Sequence, residues 1–362
     1  MDPVQSPAAS ALARIGWRAE DDALPGAATD GGRRIARVVE QHRSGYRVDD
    51  GASVFAVAAP ASMVRAGVDP LARPAVGDWV VLAPGQPPLV ERLLPRRSAL
   101  VRGAAGERHV AQVIAANVDV VLVVCGLDDD FNPRRIERYL VLVEGSGAQP
   151  VVVLTKADRC DDPAARRREV ERLAPGAVVL AVNAKDLATA EQLAPFVRGG
   201  STVVLVGSSG AGKSTLTNTL LGIEKQKTSE VRESDSRGRH TTVHRALIPL
   251  PAGGCLIDTP GMRELKLTGA EDLDAGQFGD IAELATGCRF RDCAHGAEPG
   301  CAVQAALAEG RLDRGHWDNW LKLQAELGAA RDSLAAQQVR KRHEKVMNRA
   351  LGKRLTDKYG AR

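Results

Sequence analysis

The stretch GSSGAGKST, residues 207–215, decides the fold class of this chain. Its start fits the pattern G-x-x-x-x-G-K-[ST], and it joins the apolar segment STVVLVG to KSTLTNTLLG, which has a helical composition. A glycine-rich turn between a strand and a helix lets backbone N–H groups point at phosphate oxygens. The stretch therefore predicts a phosphate-binding loop, with Lys213 on the β- and γ-phosphates and Ser214 on Mg²⁺. The residues predicted to contact the nucleotide here are Gly207, Ser208, Ser209, Gly210, Ala211, Gly212, Lys213, Ser214 and Thr215.

A second motif, LTKAD at residues 154–158, predicts which base the nucleotide carries. The Asp158 carboxylate can accept hydrogen bonds from both the ring N–H and the exocyclic amine of guanine, a pattern that adenine does not offer. The Lys156 stem can lie over the plane of the base. Thr155 stands where Asn is commoner, and its hydroxyl is predicted to be a weaker partner of the nucleotide. These three residues predict specificity for guanine.

A third motif, VNAK at residues 182–185, ends the next apolar segment. The Ala184 backbone N–H is predicted to meet guanine O6. Asn183 replaces the more usual Ser beside it, and Lys185 completes the loop. Because ligands of open α/β sheets bind at the carboxyl ends of the strands, two such motifs on successive strands support each other.

The segment LIDTPG, residues 256–261, supplies the remaining parts of a GTPase site. Asp258 ends an apolar strand and is predicted to hold Mg²⁺ through water, and the Gly261 N–H is predicted to contact the γ-phosphate. The polar stretch before this strand has the composition of a switch loop, in which Thr241 or Thr242 closes on Mg²⁺. The sequence leaves open which of the two threonines does so.

His240 is the candidate catalytic residue. Many GTPases orient the attacking water with a Gln directly after the glycine of D-x-x-G. The chain has Met262 there, which is a poor hydrogen-bond partner for water. His240 precedes Thr241 in the predicted switch loop, and an imidazole can orient a water near neutral pH. A surface histidine in a polar loop is the alternative, and His244, at the start of the next strand, is a rival.

The motifs occur in an unusual order along the chain. The base-reading motifs come first and the phosphate loop and switch segments follow, whereas an ordinary guanine-nucleotide-binding domain begins with the phosphate loop. Joining the old termini and opening a surface loop leaves a sheet intact, because the termini of a domain lie at its surface. Alternating apolar strands and helices over residues 110–280 therefore predict a circularly permuted α/β domain.

Three further regions flank this domain. Residues 1–32 are rich in Ala, Pro, Asp and Gly and predict a disordered extension. Short alternating runs separated by turns over residues 33–100 predict an OB-fold-like β-barrel, although an SH3-like barrel has a similar pattern. Residues 281–362 predict a helical domain that binds a metal and ends in a basic tail.

The segment CRFRDCAHGAEPGC has the spacing C-x₄-C-x-H-x₅-C. Its ligands would be Cys288, Cys293, His295 and Cys301. Three thiolates and one imidazole fill a tetrahedral Zn²⁺ shell and leave no open position, which predicts a structural site. Reduced thiols beside a surface histidine are the alternative.

The net charge of +4 is unevenly distributed along the chain. Residues 331–362 contain ten Lys or Arg and three Asp or Glu, a net charge of +7. Such a tail indicates either a polyanionic partner or the solvated end of a helix. Aromatic residues are scarce in the predicted barrel, which favours recognition of RNA by backbone and shape over base stacking.

Composition also indicates where the protein acts. The chain has no run of about 18 apolar residues and no basic-then-apolar start, so neither a membrane span nor a signal peptide is expected. Three of the six cysteines cluster, which indicates metal binding in a reducing cytosol rather than a disulfide scaffold. We expect a cytoplasmic monomer.

The combined motifs resemble those of the ribosome small subunit-dependent GTPase A (RsgA) family of circularly permuted GTPases. The resemblance extends over residues 33–345 and implies an OB domain, a permuted GTPase domain and a zinc domain. It also implies binding to the small ribosomal subunit and its rRNA, a role in late maturation of that subunit, and subunit-stimulated hydrolysis of GTP to GDP. The chain departs from the commonest pattern at Asn183 and by its N-terminal extension. The matching stretches are VGDWV, LPRRSALVR, QVIAANVD, LTKAD, GSSGAGKST, GRHTT, DTPG and the Cys/His segment.

Two other functions stay open at this point. One is an RNA-binding assembly factor in which the nucleotide is a conformational ligand and its turnover is incidental. The other is a P-loop ATPase or kinase that carries TKAD by accident. Multiple-turnover hydrolysis with and without small subunits tests the first, and competition of GTP binding by GDP but not by ATP tests the second.

Overall fold

The structure of the chain is a computed structural model. It describes residues 11–23, 31–42, 45–65, 68–103, 111–222, 245–258, 267–274, 276–296 and 298–332. The predicted catalytic His240, the switch threonines Thr241 and Thr242, Gly261 and the tail after residue 332 lie outside these ranges.

Five short strands form a closed barrel. They are β1 (Arg34–His42), β2 (Gly45–Asp49), β3 (Val54–Val57), β4 (Trp79–Ala83) and β5 (Leu89–Leu93), with a short helix α1 (Ala61–Val64) after β3. Antiparallel pairs join β3 to β2, β2 to β1, β1 to β4 and β4 to β5. The Val90 N–H donates to the Ala58 carbonyl at 3.0 Å and closes the ring between β5 and β3. This is the five-stranded ring of an OB fold, so the predicted barrel is confirmed.

The prediction of a disordered extension over residues 1–32 is wrong for residues 11–23. This segment forms two short helical turns and buries the side chains of Leu12, Ile15 and Trp17. They join the same core cluster as residues of the barrel and of the following sheet. The composition misled because a few apolar residues without periodicity can still be buried when other parts of the chain supply the surface that covers them.

Replacing Trp17 with Ala is expected to lower the free energy of unfolding by about 3 kcal/mol, the usual cost of truncating a buried aromatic residue. The Trp17 and Trp79 rings meet edge to face with centroids 4.8 Å apart, and the Trp17 Nε1–H donates to Asp22 at 2.8 Å. Urea denaturation followed by circular dichroism measures the change. Glu20→Ala, at an exposed position of the same segment, is the control and should cost less than about 0.5 kcal/mol. Equal stability of the Trp17 variant and the wild type would contradict this packing.

A buried arginine holds the N-terminal segment, the barrel and the sheet together. The Arg37 guanidinium donates to the carbonyls of Ile15, Gly77 (3.1 Å) and Asn117 (3.2 Å) and to the Thr202 hydroxyl (2.8 Å). Burial lowers the pKa of Arg37 to about 10, so the group stays charged near neutral pH. Its four partners come from distant parts of the chain, and no local pattern reveals this contact.

A hairpin of β6 (Ala99–Gly103) and β7 (Ala111–Ala116) leads from the barrel into a second, largely parallel sheet. The strands of this sheet are β8 (Val120–Gly126), β9 (Gln149–Thr155), β10 (Val178–Ala181), β11 (Thr202–Val206), β12 (Ala246–Pro249) and β13 (Cys255–Asp258). Their order in space is β10-β9-β8-β11-β13-β12, and β12 alone is antiparallel to its neighbour within this set. The pairing of Glu40 with Ala246 joins β1 of the barrel to β12.

Helices cover both faces of this sheet. They are α2 (Pro133–Glu144), α3 (Pro163–Leu173), α4 (Ala188–Val197) and α5 (Lys213–Leu220). Along β8, Val121 and Val123 share a core cluster with α2 and α3, whereas Leu122 and Val124 share another with α4 and α5. An apolar strand buried on both faces is typical of doubly wound α/β folds, so the predicted α/β class is confirmed.

Among the described C-terminal helices, the last one packs against α2. These helices are α6 (Gly279–Thr286), α7 (Ala302–Ala308) and α8, which covers residues 314–332 of the described chain. Trp317 and Leu323 of α8 belong to the same core cluster as Leu140 of α2, and Arg138 of α2 forms a two-pronged ion pair with Glu326 at 2.5 and 2.7 Å. Over the residues that the structure describes, no helix combines the length and the apolarity needed to cross a membrane.

Candidate functional site

The predicted nucleotide motifs meet at one edge of the parallel sheet. β9 ends at Thr155, β10 at Ala181, β11 at Val206 and β13 at Asp258. Because parallel strands run in the same direction, the loops that follow them emerge on the same side. The spatial order of the strands, with β11 near the centre, therefore brings together motifs that the chain carries in permuted order.

The loop after β11 has the geometry of a phosphate-binding loop. Gly207 has a φ of +147°, and a Cβ there would collide with the Val124 carbonyl oxygen, so only glycine fits. α5 begins directly after Gly212, which has no side chain to cap it, and the first N–H groups of a helix have no partner within it. The Lys213 ammonium donates to the carbonyls of Gly207 at 2.8 Å and Ser208 at 2.5 Å. A cation and a helix N-terminus thus face the same loop, which suits an anion.

The remaining predicted loop residues lie in the same turn. Ser209 and Gly210 form its tip, and Ser214 and Thr215 occupy the first turn of α5. The Ser214 side chain is exposed at the helix start, where a hydroxyl can reach a cation that accompanies phosphate.

Thr155 is placed differently from the sequence prediction. Its hydroxyl is buried and donates to the Ala211 carbonyl at 2.6 Å. A Cβ added to Gly212 would lie 3.1 Å from the same hydroxyl oxygen. The Thr155 hydroxyl therefore ties β9 to the phosphate loop instead of facing a nucleotide.

Lys156 and Asp158 lie just beyond the end of β9. Lys156 has a left-handed φ of +60°, which is uncommon outside glycine and tends to occur at functional sites. Its ammonium forms an ion pair with Asp128, from the loop after β8. Asp158 lies in the 3₁₀ turn Ala157–Arg159 and is exposed. Its carboxylate is therefore accessible to a ligand.

The loop after β10 is held against the phosphate-loop helix. The Ala184 carbonyl accepts a hydrogen bond from the Thr219 hydroxyl of α5 at 2.5 Å. The Asn183 side-chain oxygen accepts from the Lys185 N–H at 3.1 Å and closes a tight turn. Asn183, which stands where Ser is commoner, thus shapes the loop that presents the backbone of Ala184.

Two acidic residues at this edge do not appear among the predicted site residues. The Ser208 hydroxyl donates to Asp130, and Arg135 of α2 pairs with the same carboxylate at 2.7 Å. Asp128 contacts Lys156, and hydrogen bonding from that lysine lowers the pKa of Asp128. A run of three acids shortly after an apolar strand could have predicted these contacts from the sequence, because it places carboxylates at the sheet edge where the strand ends meet.

Of the predicted switch residues, Asp258 lies within the described chain. It ends β13, where its backbone pairs with Ala246 of β12, and it is half-buried. His240, Thr241, Thr242 and Gly261 lie outside the described residues.

The four predicted metal ligands come together between α6 and α7. Their ligand atoms all lie within 4.8 Å of one another. The Cys288 Sγ is 3.5 Å from His295 Nδ1 and 3.9 Å from Cys301 Sγ, and Cys301 Sγ is 3.6 Å from His295 Nδ1. Zn²⁺ bonds of about 2.0–2.3 Å place tetrahedral ligands roughly 3.4–3.8 Å apart, so the donor set of these residues and Cys293 fits one ion.

The clustered thiols shift one another's pKa values. Burial raises the pKa of Cys288, but backbone N–H groups at the start of α7 and the neighbouring thiols outweigh it and lower that pKa. A backbone N–H of His295 lowers the pKa of Cys293, but burial and the sulfurs of Cys301 and Cys288 raise it to about 11. Three adjacent thiolates therefore repel one another unless a cation neutralises them.

A buried histidine of α8 links α6 to α2 of the sheet domain. His316 of α8 contacts Glu137 of α2 at 2.7 Å and Asp280 of α6 at 3.2 Å, and its ring stacks on Phe278. Burial lowers the pKa of His316, but hydrogen bonds and charge from Asp280 and Glu137 raise it to about 9. The imidazolium is therefore part of the contact near neutral pH.

The stability of this contact is expected to fall as the pH rises from about 6.5 to about 9. Because the pKa of His316 is higher in the folded than in the unfolded protein, protonation stabilises the folded state. This stabilisation is complete when the pH is below the unfolded-state pKa, and it is lost as the pH rises through the folded-state pKa. His316→Gln cannot titrate, so the wild-type advantage in unfolding free energy should shrink over this range. At about 1.4 kcal/mol per pKa unit the full shift corresponds to roughly 3.5 kcal/mol, and we expect about 2 kcal/mol because solvent screens the exposed Asp280 partner. Urea denaturation of both proteins at several pH values measures it, and a pH-independent difference would contradict the charged contact.

Comparisons with known proteins agree with this geometry. Residues 93–268 match the protein family described as RsgA GTPase. A protein of Xanthomonas axonopodis pv. citri (strain 306), named small ribosomal subunit biogenesis GTPase RsgA, is 59% identical over 305 residues, which cover 83% of this chain and 82% of the relative. The protein of the same name from Xanthomonas campestris pv. campestris (strain B100) is 58% identical over the same coverage.

Two solved structures share the fold. YjeQ from Thermotoga maritima has a TM-score of 0.59 and 25% identity, over 82% of this chain and 98% of that one. YloQ, described as a circularly permuted GTPase, has a TM-score of 0.58 and 25% identity, over 84% of this chain and 98% of that one. These matches show that the chain, which brings the predicted phosphate-binding and base-reading motifs to one sheet edge, belongs to the RsgA GTPase family of GTP-hydrolysing enzymes, with a circularly permuted GTPase fold.

Proposed function

We propose that this GTPase binds the small ribosomal subunit and acts in its late maturation, with hydrolysis of GTP to GDP stimulated by the subunit. The observation that carries the proposal is the meeting of two base-reading loops, the phosphate loop and Asp258 at one sheet edge. Relatives that are 58–59% identical are named small ribosomal subunit biogenesis GTPases, and this name supports the small subunit as the partner. The basic tail can bind the rRNA of the subunit electrostatically, because Lys and Arg displace counterions from RNA.

The base is read by the loops after β9 and β10. In this proposal the exposed Asp158 carboxylate accepts two hydrogen bonds from guanine, and the Lys156 stem packs against the face of the base. The Ala184 backbone N–H donates to guanine O6, held in place by the turn of Asn183 and Lys185. Thr155 acts indirectly, because its hydroxyl fixes the phosphate loop.

The phosphates are bound by the loop after β11. Lys213 would exchange its loop carbonyl partners for β- and γ-phosphate oxygens, and the N–H groups from Gly207 to Thr215 would surround the phosphates. Ser214, Asp258 and either Thr241 or Thr242 would hold Mg²⁺, which supplies positive charge at the phosphates when bound. The Gly261 N–H would contact the γ-phosphate.

Zn²⁺ is the ion that we propose for the Cys288, Cys293, His295 and Cys301 cluster. Four protein ligands leave no position for a substrate, so the role is structural. The Gln304 side chain donates to the His295 carbonyl at 2.6 Å and helps to orient this ligand.

The proposed division of the chain follows these parts. The barrel comprises residues 33–100, the GTPase domain residues 110–280 and the zinc-binding helical domain residues 281–362. We propose that the protein works as a monomer in the cytoplasm, where ribosomal subunits are assembled and thiols stay reduced.

Multiple-turnover GTP hydrolysis by the purified chain, with and without purified small ribosomal subunits, tests this function. We expect the subunits to raise kcat about tenfold or more, because partner-assisted GTPases gain transition-state groups on binding. Large ribosomal subunits are the control and should give no stimulation. GDP should compete with GTP for binding, and ATP should not. Equal rates with and without small subunits would contradict the proposal.

Replacing His240 with Ala is expected to leave GTP affinity unchanged and to lower subunit-stimulated hydrolysis about a hundredfold. Groups that orient or deprotonate an attacking water typically contribute about 10²–10⁴-fold. Single-turnover hydrolysis with saturating subunits measures the effect, and His244→Ala tests the rival histidine and is expected to keep full stimulation. Full stimulation of the His240 variant would assign the water to another residue or to the rRNA.

A further inference from the structure

The loop between β8 and α2 brings three consecutive acids to the edge of the sheet where the nucleotide motifs meet. Residues 128–130 are named here the acidic loop. Asp128 contacts Lys156 of the base-reading motif, and Asp130 contacts Ser208 of the phosphate loop. Asp129 is exposed to solvent. Each carboxylate therefore has a different environment, although the three are adjacent in sequence.

The register of β8 and β9 places Asp128 beside Lys156. Gly126 and Thr155 are partners in the parallel ladder, and the Leu127 N–H donates to the Thr155 carbonyl at 2.8 Å. Asp128 follows Leu127 and Lys156 follows Thr155, and at these positions the two side chains meet in a hydrogen-bonded ion pair. The exposed fraction is 29% for the Asp128 side chain and 23% for that of Lys156, so water screens the pair only in part.

The ion pair fills the space above Gly126. A Cβ at this position would lie 3.2 Å from Lys156 Nζ and 3.3 Å from Lys156 Cε, and closer still to an Asp128 carboxylate oxygen. The lysine stem therefore runs across the end of β8, with its ammonium fixed at the far end. Glycine at position 126 leaves the room that this arrangement requires.

Holding the lysine in place has a consequence for binding. A free lysine side chain has large rotamer entropy, and a ligand that packs against it must immobilise it. The left-handed backbone of Lys156 and its ion pair with Asp128 order the side chain within the protein itself. A base that then packs against the stem loses less entropy on binding.

We propose that Asp128 is a positioning residue for guanine nucleotides. Its carboxylate holds the Lys156 ammonium, so that the aliphatic stem is in place before the base arrives. The inference rests on the proposed role of Lys156 in contacting the base. Asp128 itself need not touch the nucleotide.

Asp128→Asn is expected to weaken the binding of GDP and GTP alike by about fivefold, which corresponds to about 1 kcal/mol at 1.4 kcal/mol per tenfold change. An ion pair that is partly screened by solvent has an effect of this size. Titration with a fluorescent GDP, and competition by GTP, measures both affinities. Asp129→Asn removes the same charge one residue away and is the matched control, with affinity as in the wild type. Asp128→Glu, which keeps the charge, should recover part of the loss.

A double-mutant cycle with Lys156→Met tests whether Asp128 affects nucleotide affinity through Lys156. Met keeps an apolar stem without the ammonium, so Asp128→Asn should cause no further loss in this background. Equal losses in both backgrounds, or wild-type affinity of the Asp128→Asn single variant, would overturn the inference. Unchanged affinity of a Lys156→Gly variant, which removes the stem and tolerates the left-handed backbone, would instead contradict the proposed contact of Lys156 with the base, so the two failures are distinguishable.

Discussion

Replacing Asp158 with Asn is expected to lower the affinity for GTP about a thousandfold. In the proposed site the exposed carboxylate accepts two hydrogen bonds from guanine, and bonds to a charged group are worth roughly 2 kcal/mol each. The amide that replaces the carboxylate keeps one acceptor oxygen but presents an N–H group to the second donor of the base, so one bond is lost and one donor is left unpaired, at roughly 2 kcal/mol each. The loss of about 4 kcal/mol corresponds to about three orders of magnitude in Kd.

The same substitution is expected to change base preference. Xanthine carries a carbonyl where guanine carries the exocyclic amine, and the Asn amide can donate to it. Titration of the variant with fluorescent GDP and with the xanthine diphosphate measures both affinities. Asp161→Asn, at an exposed acid three residues away, is the control and should bind GDP as the wild type does. Wild-type GDP affinity of the Asp158 variant would remove Asp158 from the base-reading role.

Cys293→Ser is expected to lower the affinity for Zn²⁺ more than about a hundredfold and to unfold the segment between α6 and α7. Mutation of a residue that only orients a metal ligand typically lowers metal affinity about 10- to 100-fold. Removal of a ligand itself should lower the affinity more than this. From Cys288 to Gly300, none of the described residues is buried. Apolar burial therefore cannot replace the metal as the source of stability for this segment.

The zinc content of the purified variant and limited proteolysis measure this effect. We expect cleavage after about residue 280, while GDP binding is retained, because the sheet and its loops have their own core. Cys160→Ser, at a half-buried cysteine outside the cluster, is the control and should keep one Zn²⁺ per chain. A wild-type protein without stoichiometric zinc, or a protease-resistant variant, would contradict the structural role.

The parts of the site that the sequence predicted share one property: each is a short stretch with its own geometry. Gly207 to Ser214 must form a tight turn before a helix, because glycine tolerates the positive φ values that the turn requires. The metal ligands span fourteen residues, so their spacing alone limits how far apart they can lie. Alternation of apolar strands and helices likewise predicted the sheet, since burial on both faces needs continuous apolar runs.

The predictions that failed or were missing concern contacts between distant parts of the chain. Residues 11–23 are buried only because the barrel and the sheet cover them, and composition does not show that surface. The Thr155 hydroxyl has the chemistry of a nucleotide partner, yet the close approach of β9 and the phosphate loop directs it to Ala211. Likewise, no local sequence pattern predicts that Arg37 connects the N-terminal segment, the barrel and the sheet, because its hydrogen-bond partners come from four separate segments.

The sequence by itself determined the α/β class, the permuted order of the nucleotide motifs and the Cys/His set that could hold a metal ion, because local spacing and periodicity encode them. Only the tertiary structure decided which side chains form hydrogen bonds and ion pairs with each other. The pairing of Asp128 with Lys156 depends on the register of two strands that are separated by α2, and the contact of His316 with Glu137 depends on how α8 docks on that helix. Hydrogen bonds and ion pairs are short-ranged and directional, so they form only where the assembled fold brings both partners within reach.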